Sequence, residues 1–339
     1  MSAGGGTKAV LAAMIANFAI AIAKLIAFFI SGATSMLAEA VHSFADTGNQ
    51  GLLLLGGKRA VRDASDSHQF GYGRERYFWS FVVAMVLFTL GSVYAIYEGI
   101  NKIRHPHEVD NLVVPIVVLL LGIALEGWSF RTAVNEANPL RAGRSWKSFI
   151  QRSKAPELPV VLLEDLGALI GLVIALVFIV LAKLTGNAKF DGVGTLSIGV
   201  LLGAIAIVLA IEMKSLLIGE SANVEEQGKL VAAIEGSPYV EQLLHIQTQH
   251  LGPDELLVGA KVAFNEGMST RELADAINDL EMRIRAEVPI ADPLYIEPDL
   301  FRANYEPYEA AEHPEHGDGD DDGDGDGDGD GDGDGDGGH

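Results

Sequence analysis

The sequence has no cysteine among its 339 residues, and basic residues are scarce, with 24 Lys and Arg against 46 Asp and Glu. Without thiols the chain can form no disulfide framework, no thiolate metal site and no cysteine nucleophile. The formal net charge of −22 argues against a nucleic-acid-binding surface. We therefore expect no nucleic-acid partner.

Motifs of two enzyme classes are also missing. The polar region after Glu220 has no Gly-rich phosphate loop. The nearest approach to the HExxH pair of a metallohydrolase is His107 followed by Glu108, which lacks the second histidine. These absences predict a protein that is not an enzyme and that holds no resident cofactor.

Apolar residues, by contrast, make up 49% of the chain, and its mean hydropathy is +0.24. Six apolar stretches are each long enough to cross about 30 Å of hydrocarbon as a helix. They cover residues 8–31, 33–57, 77–101, 112–134, 159–184 and 194–218. The pattern predicts an all-α, six-helix transmembrane bundle over residues 1–218.

Basic residues between these stretches are distributed unevenly. Eleven fall in the two loops at 58–76 and 131–158, whereas four fall in loops on the opposite side. Because cytoplasmic loops carry an excess of Lys and Arg, both chain termini of this multi-pass membrane protein are predicted to be cytoplasmic.

The chain changes character after Glu220, where helical and strand-like patterns alternate. The periodicity predicts helices at 224–234 and 270–288 and strands at 240–249, 256–264 and 294–301. This order indicates a small α/β domain, at residues 219–305, with its helices on one face of the sheet. Residues 306–339 form an acidic Gly-Asp-rich tail, predicted to be disordered because its repeats offer nothing apolar to bury.

The most informative residues are ionisable side chains inside the apolar stretches. The second stretch holds Glu39, His42 and Asp46, and the last two are four residues apart, so they lie on one helical face. The fifth stretch holds Glu164 and Asp165. A charge near the bilayer centre costs about 2.5 to 3.5 kcal/mol, so each of these residues needs a function or a partner that offsets the cost.

Two interpretations of these side chains stay open at this point. An imidazole with carboxylate oxygens is a ligand set suited to zinc, and less selectively to manganese, iron or cobalt. The same groups bind protons that a divalent ion must displace, so such a site exchanges protons for metal. The alternative is a hydrogen-bonded clamp between helices with no substrate.

Longer motifs surround these residues: SMLAEAVHSFADTGNQ at 35–50 and HQFGYGRERYFW at 68–79. With these motifs, residues 8–303 resemble the cation diffusion facilitator family. HPHEV at 105–109 and VLLED at 161–165 make the chain more similar to the branch of the mitochondrial-type zinc transporter nine and its prokaryotic relatives. The resemblance implies a homodimeric exporter of divalent metal, driven by proton antiport, with six membrane helices and a cytoplasmic ferredoxin-like α/β domain.

By position, the family's metal ligands fall on His42, Asp46 and Asp165. The residue four before Asp165, usually His or Asp in the family, is Val161 here, so the family pattern supplies three ligands. We favour Glu164 as the fourth ligand of a tetrahedral site. The other candidates for that position are Glu39, Asn17 and a water molecule.

The resemblance also concerns a second metal site, in the α/β domain. The positions that match its histidines are Leu244 and Ala260, which cannot bind metal through their side chains. Only Glu297 and Asp299 remain as candidate carboxylate ligands. Because both histidine positions are lost, we do not expect this domain to sense metal.

Four further residues carry weaker expectations. The resemblance pairs Arg74 with Glu220, whereas the plainer interpretation makes Arg74 a positive anchor at the membrane surface. His245 and His250 are five residues apart and so lie on opposite faces of one strand. We expect both histidines at the surface or at an interface.

These patterns together predict a homodimeric divalent-cation/proton antiporter, with zinc as the first candidate, that exports metal from the cytoplasm by alternating access. Its partners would be divalent metal ions, protons and membrane lipid, and its host a prokaryotic cell membrane. The alternative is a metal-gated channel or a membrane metal sensor without antiport. Proton flux measured beside metal flux distinguishes the two.

Overall fold

The computed structural model of the protein describes residues 6–31, 34–106 and 113–300, and leaves out the side chains of residues 31–39, 41, 42 and 114. The predicted tail at 306–339 and residues 107–109 of the HPHEV motif lie outside the described residues. The chain up to Leu300 forms one unit.

Long helices make up the chain before Gly219. An apolar chain can leave no backbone N–H or C=O unpaired in hydrocarbon, so such stretches fold as helices. The helices are α1 (Thr7–Ser31), α2 (Thr34–Ala60), α3 (Glu75–Val86), which continues through a π-helical stretch (Leu87–Val93) into α4 (Tyr94–Arg104), α5 (Val113–Arg141), α6 (Trp146–Arg152), α7 (Glu157–Thr185) and α8 (Lys189–Ile218).

Five helical segments of the described chain are long and apolar enough to cross a membrane, which makes it a multi-pass membrane protein. They are Thr7–Ile30, Glu75–Arg104, Pro115–Arg141, Glu157–Thr185 and Lys189–Ile218. α2 is of similar length, but Glu39, His42 and Asp46 interrupt its apolar residues. The crossing of the membrane by α2 stays a prediction.

The polar end of α5 contacts the start of α1. The fourth apolar stretch ends near residue 134, but α5 continues to Arg141. In this extension Glu136 accepts hydrogen bonds from the backbone N–H groups of Gly6, at 2.8 Å, and Ala9, at 2.7 Å. A carboxylate at a helix N-terminus satisfies unpaired N–H groups and interacts favourably with the helix dipole. Glu136 therefore fixes α1 against α5.

The helices pack as neighbours in a bundle, with α1 against α2 and α5, α7 against α5 and α8, and α8 against α4. The contact between α4 and α8 is a close approach of two backbones. A Cβ atom added at Gly99 would lie 2.5 Å from the Leu196 nitrogen. Small residues let membrane helices approach in this way. Since α8 also packs on α7, this contact supports the helix that carries Glu164 and Asp165.

A small α/β domain follows α8, as the sequence predicts. Its elements are α9 (Val224–Glu235), β1 (Val240–Gly252), β2 (Glu255–Phe264), α10 (Thr270–Glu287) and β3 (Ala291–Asp299). β2 is the middle strand, antiparallel to β1 and parallel to β3. Alternate residues of β2 pack under Leu230 of α9 and Leu280 of α10. Both helices therefore cover one face of the sheet.

A buried ion-pair cluster joins the β1–β2 hairpin to the helix bundle. Arg76, at the start of α3, is 9% exposed and pairs with Glu157 at the start of α7. Arg76 Nη2 donates to Glu157 Oε2 at 2.9 Å, and Arg76 Nη1 donates to Asp254 Oδ2 of the hairpin at 3.3 Å. The planar guanidinium thus links two membrane helices and the α/β domain.

We expect Arg76→Met to loosen this junction. The substitution leaves Glu157 buried without its partner, which costs about 3 to 5 kcal/mol in comparable buried ion pairs. The detergent-purified variant should unfold at a lower temperature than the wild type. Arg62→Met removes an exposed arginine and serves as the control. An unchanged unfolding temperature for Arg76→Met would contradict the structural role of the cluster.

A second junction corrects one of the sequence-based expectations and bears on another. Glu220 pairs with Lys154 and not with Arg74. The reason is that α8 packs on α7, so the end of α8 lies beside the loop that precedes α7. His250, expected at the surface or at an interface, is fully buried at this junction, where its backbone N–H donates to the Glu220 carbonyl at 2.8 Å and its ring lies 3.8 Å from Glu226.

Glu220 gives this junction a pH dependence. Burial alone would raise the pKa of Glu220, but the hydrogen bonds from Lys154 and Ser215, together with the positive charge of Lys154, outweigh it and lower the pKa below the usual 4.5. A carboxylate with a lowered folded-state pKa stabilises the fold above its unfolded pKa. That contribution is lost as the pH falls through the folded value.

We therefore expect Glu220→Gln to unfold at a lower temperature than the wild type near pH 7, with the difference shrinking below about pH 4. Thermal unfolding of both detergent-purified proteins across this range measures the effect. Glu235→Gln, at an exposed position of α9, is the matched control. A difference that stayed constant down to about pH 3 would count against the ion pair as its source.

Candidate metal centre

α7 carries two adjacent acids in its first half, and both are buried. Glu164 is 6% exposed and Asp165 is 1% exposed. Adjacent residues on a helix point about 100° apart, so the two carboxylates face different neighbours. Asp165 lies about 12 Å along the helix axis from Glu157.

Glu164 faces α2, where two amide side chains hold it. Asn49 Nδ2 donates to Glu164 Oε1 at 3.3 Å, and Gln50 Nε2 donates to Glu164 Oε2 at 2.6 Å. All three side chains are buried. The amide oxygen of Gln50 is buried without a hydrogen-bond partner. The carboxylate is thus clamped by neutral donors and has no basic partner among its hydrogen bonds.

Asp165 faces α5, where Ser129 holds one of its two oxygens. Ser129 Oγ donates to Asp165 Oδ2 at 2.6 Å. Asp165 Oδ1 is buried and has no hydrogen-bond partner. A buried, unpaired carboxylate oxygen is costly, which makes this atom a suitable place for a proton or a cation.

Asp46 lies on α2, close to the two amides, since Asn49 and Gln50 follow it by three and four residues. The charges of Asp46 and Asp165 both act on Glu164, and both also act on Glu126 of α5. α2, α5 and α7 therefore contribute to one electrostatically coupled set of acids, which we call the acid group: Asp46, Glu126, Glu164 and Asp165.

Glu126 is the member of the acid group that the predicted ligand set does not include. It is 5% exposed and lies one helical turn before Ser129, the residue that binds Asp165. An acid in the fourth apolar stretch is visible in the sequence. Its direction is not, because an acid that lines a water path and one that reaches outward to the interface leave the same pattern.

The other predicted site residues stand as follows. The side chains of His42 and Glu39 lie outside the described residues. Val161 is fully buried and adds no ligand, and Asn17 of α1 is buried. Among the side chains that the structure describes, no three of His, Asp and Glu lie close enough to hold one metal ion. A metal site here therefore requires His42 or Glu39, a movement of the acids, or both.

In the α/β domain, the two candidate carboxylates are engaged by a lysine. Lys261 Nζ of β2 lies 3.0 Å from Glu297 Oε1 and 3.8 Å from Asp299 Oδ2. An ammonium group cannot coordinate metal and competes for the oxygens that could. Ala260 packs in the core under the helices, and His245 is exposed. These contacts disfavour a second metal site on these strands.

The helix bundle, with buried acids on α5 and α7 and the partly buried Asp46 on α2, is followed by a small α/β domain, and this is the architecture of an integral membrane protein with an acidic centre. The family model described as the cation efflux transmembrane domain matches residues 10–218. The chain belongs to the cation efflux family, which confirms the resemblance seen in its motifs.

Individual relatives agree with this membership. The chain is 32% identical over 269 residues to the human proton-coupled zinc antiporter SLC30A9, mitochondrial, covering 79% of this chain and 47% of the relative. It is 30% identical over 263 residues to metal tolerance protein C4 of Arabidopsis thaliana, covering 77% of this chain and 58% of the relative. The chain thus spans about half the length of these curated relatives.

Proposed function

We propose that the protein is a divalent metal cation/proton antiporter with zinc as its first substrate. The observation that carries the proposal is the acid group, in which Asp46 and Asp165 occupy the family's ligand positions. The human relative, named as a proton-coupled zinc antiporter, supports the choice of zinc and of protons. Manganese, iron and cobalt are the other candidate ions, because oxygen and imidazole ligands also suit them.

In this proposal His42, Asp46, Asp165 and Glu164 bind the metal. Asp165 is prepared for this role, since Ser129 fixes one oxygen and leaves the other without a partner. Glu164 has to release the amides of Asn49 and Gln50 first. Hydrogen bonds to a charged group contribute about 1.5 to 3 kcal/mol each, and a bond between metal and carboxylate can replace them.

Proton exchange follows from the grouping of the acids. In the proposed cycle protons and metal bind to the same carboxylates, because either one relieves the repulsion between like charges in a poorly solvated site. A divalent ion neutralises the same charges and displaces those protons. When the bundle opens to the other side, protons that enter there release the metal. The same residues thus bind metal and protons in alternation.

The remaining organisation is part of the proposal. In this proposal the protein is a homodimer in membrane lipid, with six crossing helices that include α2 and with both termini in the cytoplasm. A ferredoxin-like domain covers residues 219–305, and a disordered tail covers residues 306–339. The protein exports metal from the cytoplasm of a prokaryote. Supporting observations are the eleven basic residues of the loops at 58–76 and 131–158 and the three-stranded sheet with two covering helices.

Flux measurements in proteoliposomes test the function. Purified protein is reconstituted with a zinc dye and a pH dye inside, and zinc, manganese, iron or cobalt is added outside. We expect zinc entry with proton exit, and zinc movement driven by an imposed pH gradient alone. Zinc flux that is independent of the pH gradient would instead identify a channel. Zinc binding without any flux would identify a sensor.

A further inference from the structure

The connection between α5 and α7, at residues 137–156, carries five basic residues and no acid. The loop at 58–76 also carries five basic residues, but three acids lie among them, and Arg59 and Arg76 form ion pairs there. Among the described side chains of the connection, Lys154 alone forms an ion pair. The other four basic residues form what we call the basic surface: Arg141, Arg144, Lys147 and Arg152.

The basic surface lies where the chain leaves the membrane and enters it again. One candidate membrane span ends at Arg141, and the next begins at Glu157. Between them, α6 is anchored by Phe149, which is 3% exposed and packs in the core of the bundle. Trp146, in edge contact with Phe149, is 38% exposed. Because tryptophan is enriched at membrane–water interfaces, these positions put α6 at the level of the lipid headgroups.

The two arginines of the basic surface are oriented by the end of α5. Ala142 and Gly143 have left-handed φ angles of 48° and 80°, so the chain turns back on the helix. Arg144 donates to two backbone carbonyl groups in the last turn of α5, at 3.0 and 3.1 Å. The guanidinium carbon of Arg141 lies 4.7 Å from the centroid of the Trp146 ring. Side chains held in this way lose less conformational entropy when they bind an anion.

We propose that the basic surface binds the headgroup of an anionic phospholipid. Guanidinium groups match the geometry of phosphate oxygens. Arg141 and Arg144 have five N–H donors each, and their hydrogen bonds within the protein use two each. Lys147 and Arg152 are exposed and add positive charge. This inference goes beyond the proposed function and does not depend on it.

The acids of the chain itself are weaker candidates for this surface than lipid. The charge of Arg144 acts on the exposed Glu225 at the start of α9, but Glu225 accepts a hydrogen bond from Lys229 at 2.7 Å. The aspartates of residues 306–339 are the other acids to consider, and they follow β3 at the end of the α/β domain. A bilayer, by contrast, surrounds α5 and α7 directly, and its anionic headgroups attract basic residues at the membrane boundary.

Trp146 provides a probe of the lipid at this surface. The full chain is placed in nanodiscs of phosphatidylcholine that contain a small share of phosphatidylglycerol with brominated acyl chains, which quench tryptophan fluorescence on contact. Each protein is also prepared with Trp146→Phe, so that the difference reports on Trp146 alone. We expect phosphatidylglycerol to be enriched roughly tenfold beside Trp146 at low salt, and less at high salt. Brominated phosphatidylcholine should show no enrichment.

Lys147→Gln with Arg152→Gln is the first variant, because neither side chain forms a hydrogen bond or an ion pair among the described residues. The enrichment should fall by up to about fivefold for each charge removed. Lys147→Arg with Arg152→Lys keeps both charges and should behave as the wild type does. Arg62→Gln, the matched control, removes an exposed arginine of the other basic loop and should leave the quenching of Trp146 unchanged. If the double variant fails to fold, Lys147→Gln alone replaces it.

Three results would overturn the proposal. The first is equal quenching of wild-type Trp146 by the two brominated lipids. The second is an unchanged enrichment in the folded variant that lacks the charges. The third is an enrichment that appears only after removal of residues 306–339, because the acidic tail would then occupy the basic surface in the intact protein. None of these measurements involves zinc or proton movement, so a failure of the proposed antiport would be recognised separately.

Discussion

Zinc transport by Asp46→Asn protein is expected to fall to the level of empty liposomes. The asparagine has nearly the same shape as the aspartate, so the helix and its packing are preserved. It lacks the negative charge that attracts the ion and cannot bind or release the exchanged proton. The loss should exceed about a hundredfold, since even residues that only support a metal ligand contribute about 10- to 100-fold. His42→Ala should have a comparable effect.

The control for this prediction is Asp66→Asn, the same substitution at an exposed position in the loop between α2 and α3. It should transport zinc as the wild type does. Thermal unfolding in detergent establishes that Asp46→Asn and His42→Ala are folded. Transport at the wild-type rate by both of these variants would end the hypothesis that α2 provides metal ligands.

The helices and the small domain could be predicted because the sequence patterns that indicate them extend over many residues. In a membrane, an apolar stretch of twenty residues can pair its backbone N–H and C=O groups in few ways other than a helix. The alternation of apolar and other residues in β2 is typical of a sheet with one covered face. α6 could not be predicted in the same way. It has seven residues, and it is defined by the Ser145 cap, which accepts from the Ser148 N–H at 3.2 Å, and by the burial of Phe149.

The residues of the candidate site could be predicted from the sequence, but the neighbours that each of them contacts could not. Charges within apolar stretches identify Asp46, Glu164 and Asp165 as exceptional, because a charge at membrane depth needs compensation. Which neighbour each acid faces depends on the rotation of α7 against α2 and α5, and this rotation leaves no trace in one sequence. The amide clamp on Glu164 and the bond from Ser129 are therefore structural findings.

Partners across the domain junction were unpredictable for a related reason. Lys154 and Glu220 are 66 residues apart, and their pairing depends on the packing of α8 against α7. The sequence offers several basic residues near the membrane boundary as equal candidates. The burial of His250 likewise depends on a contact with a distant part of the chain, since its backbone N–H donates to the carbonyl of Glu220, just after α8.

Glu164→Gln distinguishes a metal ligand from a structural clamp. If Glu164 binds the ion, a neutral amide in its place should raise the zinc KM by about 10- to 100-fold. The clamp itself should survive, because the glutamine oxygen can still accept from Asn49. Its N–H group can donate to the Gln50 amide oxygen, which has no partner in the wild type. We therefore expect a large loss of transport with little change in unfolding temperature.

Val161→Asp in the Glu164→Gln background sharpens this test, because it places a carboxylate four residues before Asp165 and so on the same face of α7. If the centre lacks only a fourth ligand, the double variant should recover zinc transport. Glu98→Gln, on α4, is the matched control and should transport normally, since α4 packs on α8. Wild-type transport by Glu164→Gln alone would make Glu164 a clamp between α2 and α7, with a water molecule or another side chain as the fourth ligand.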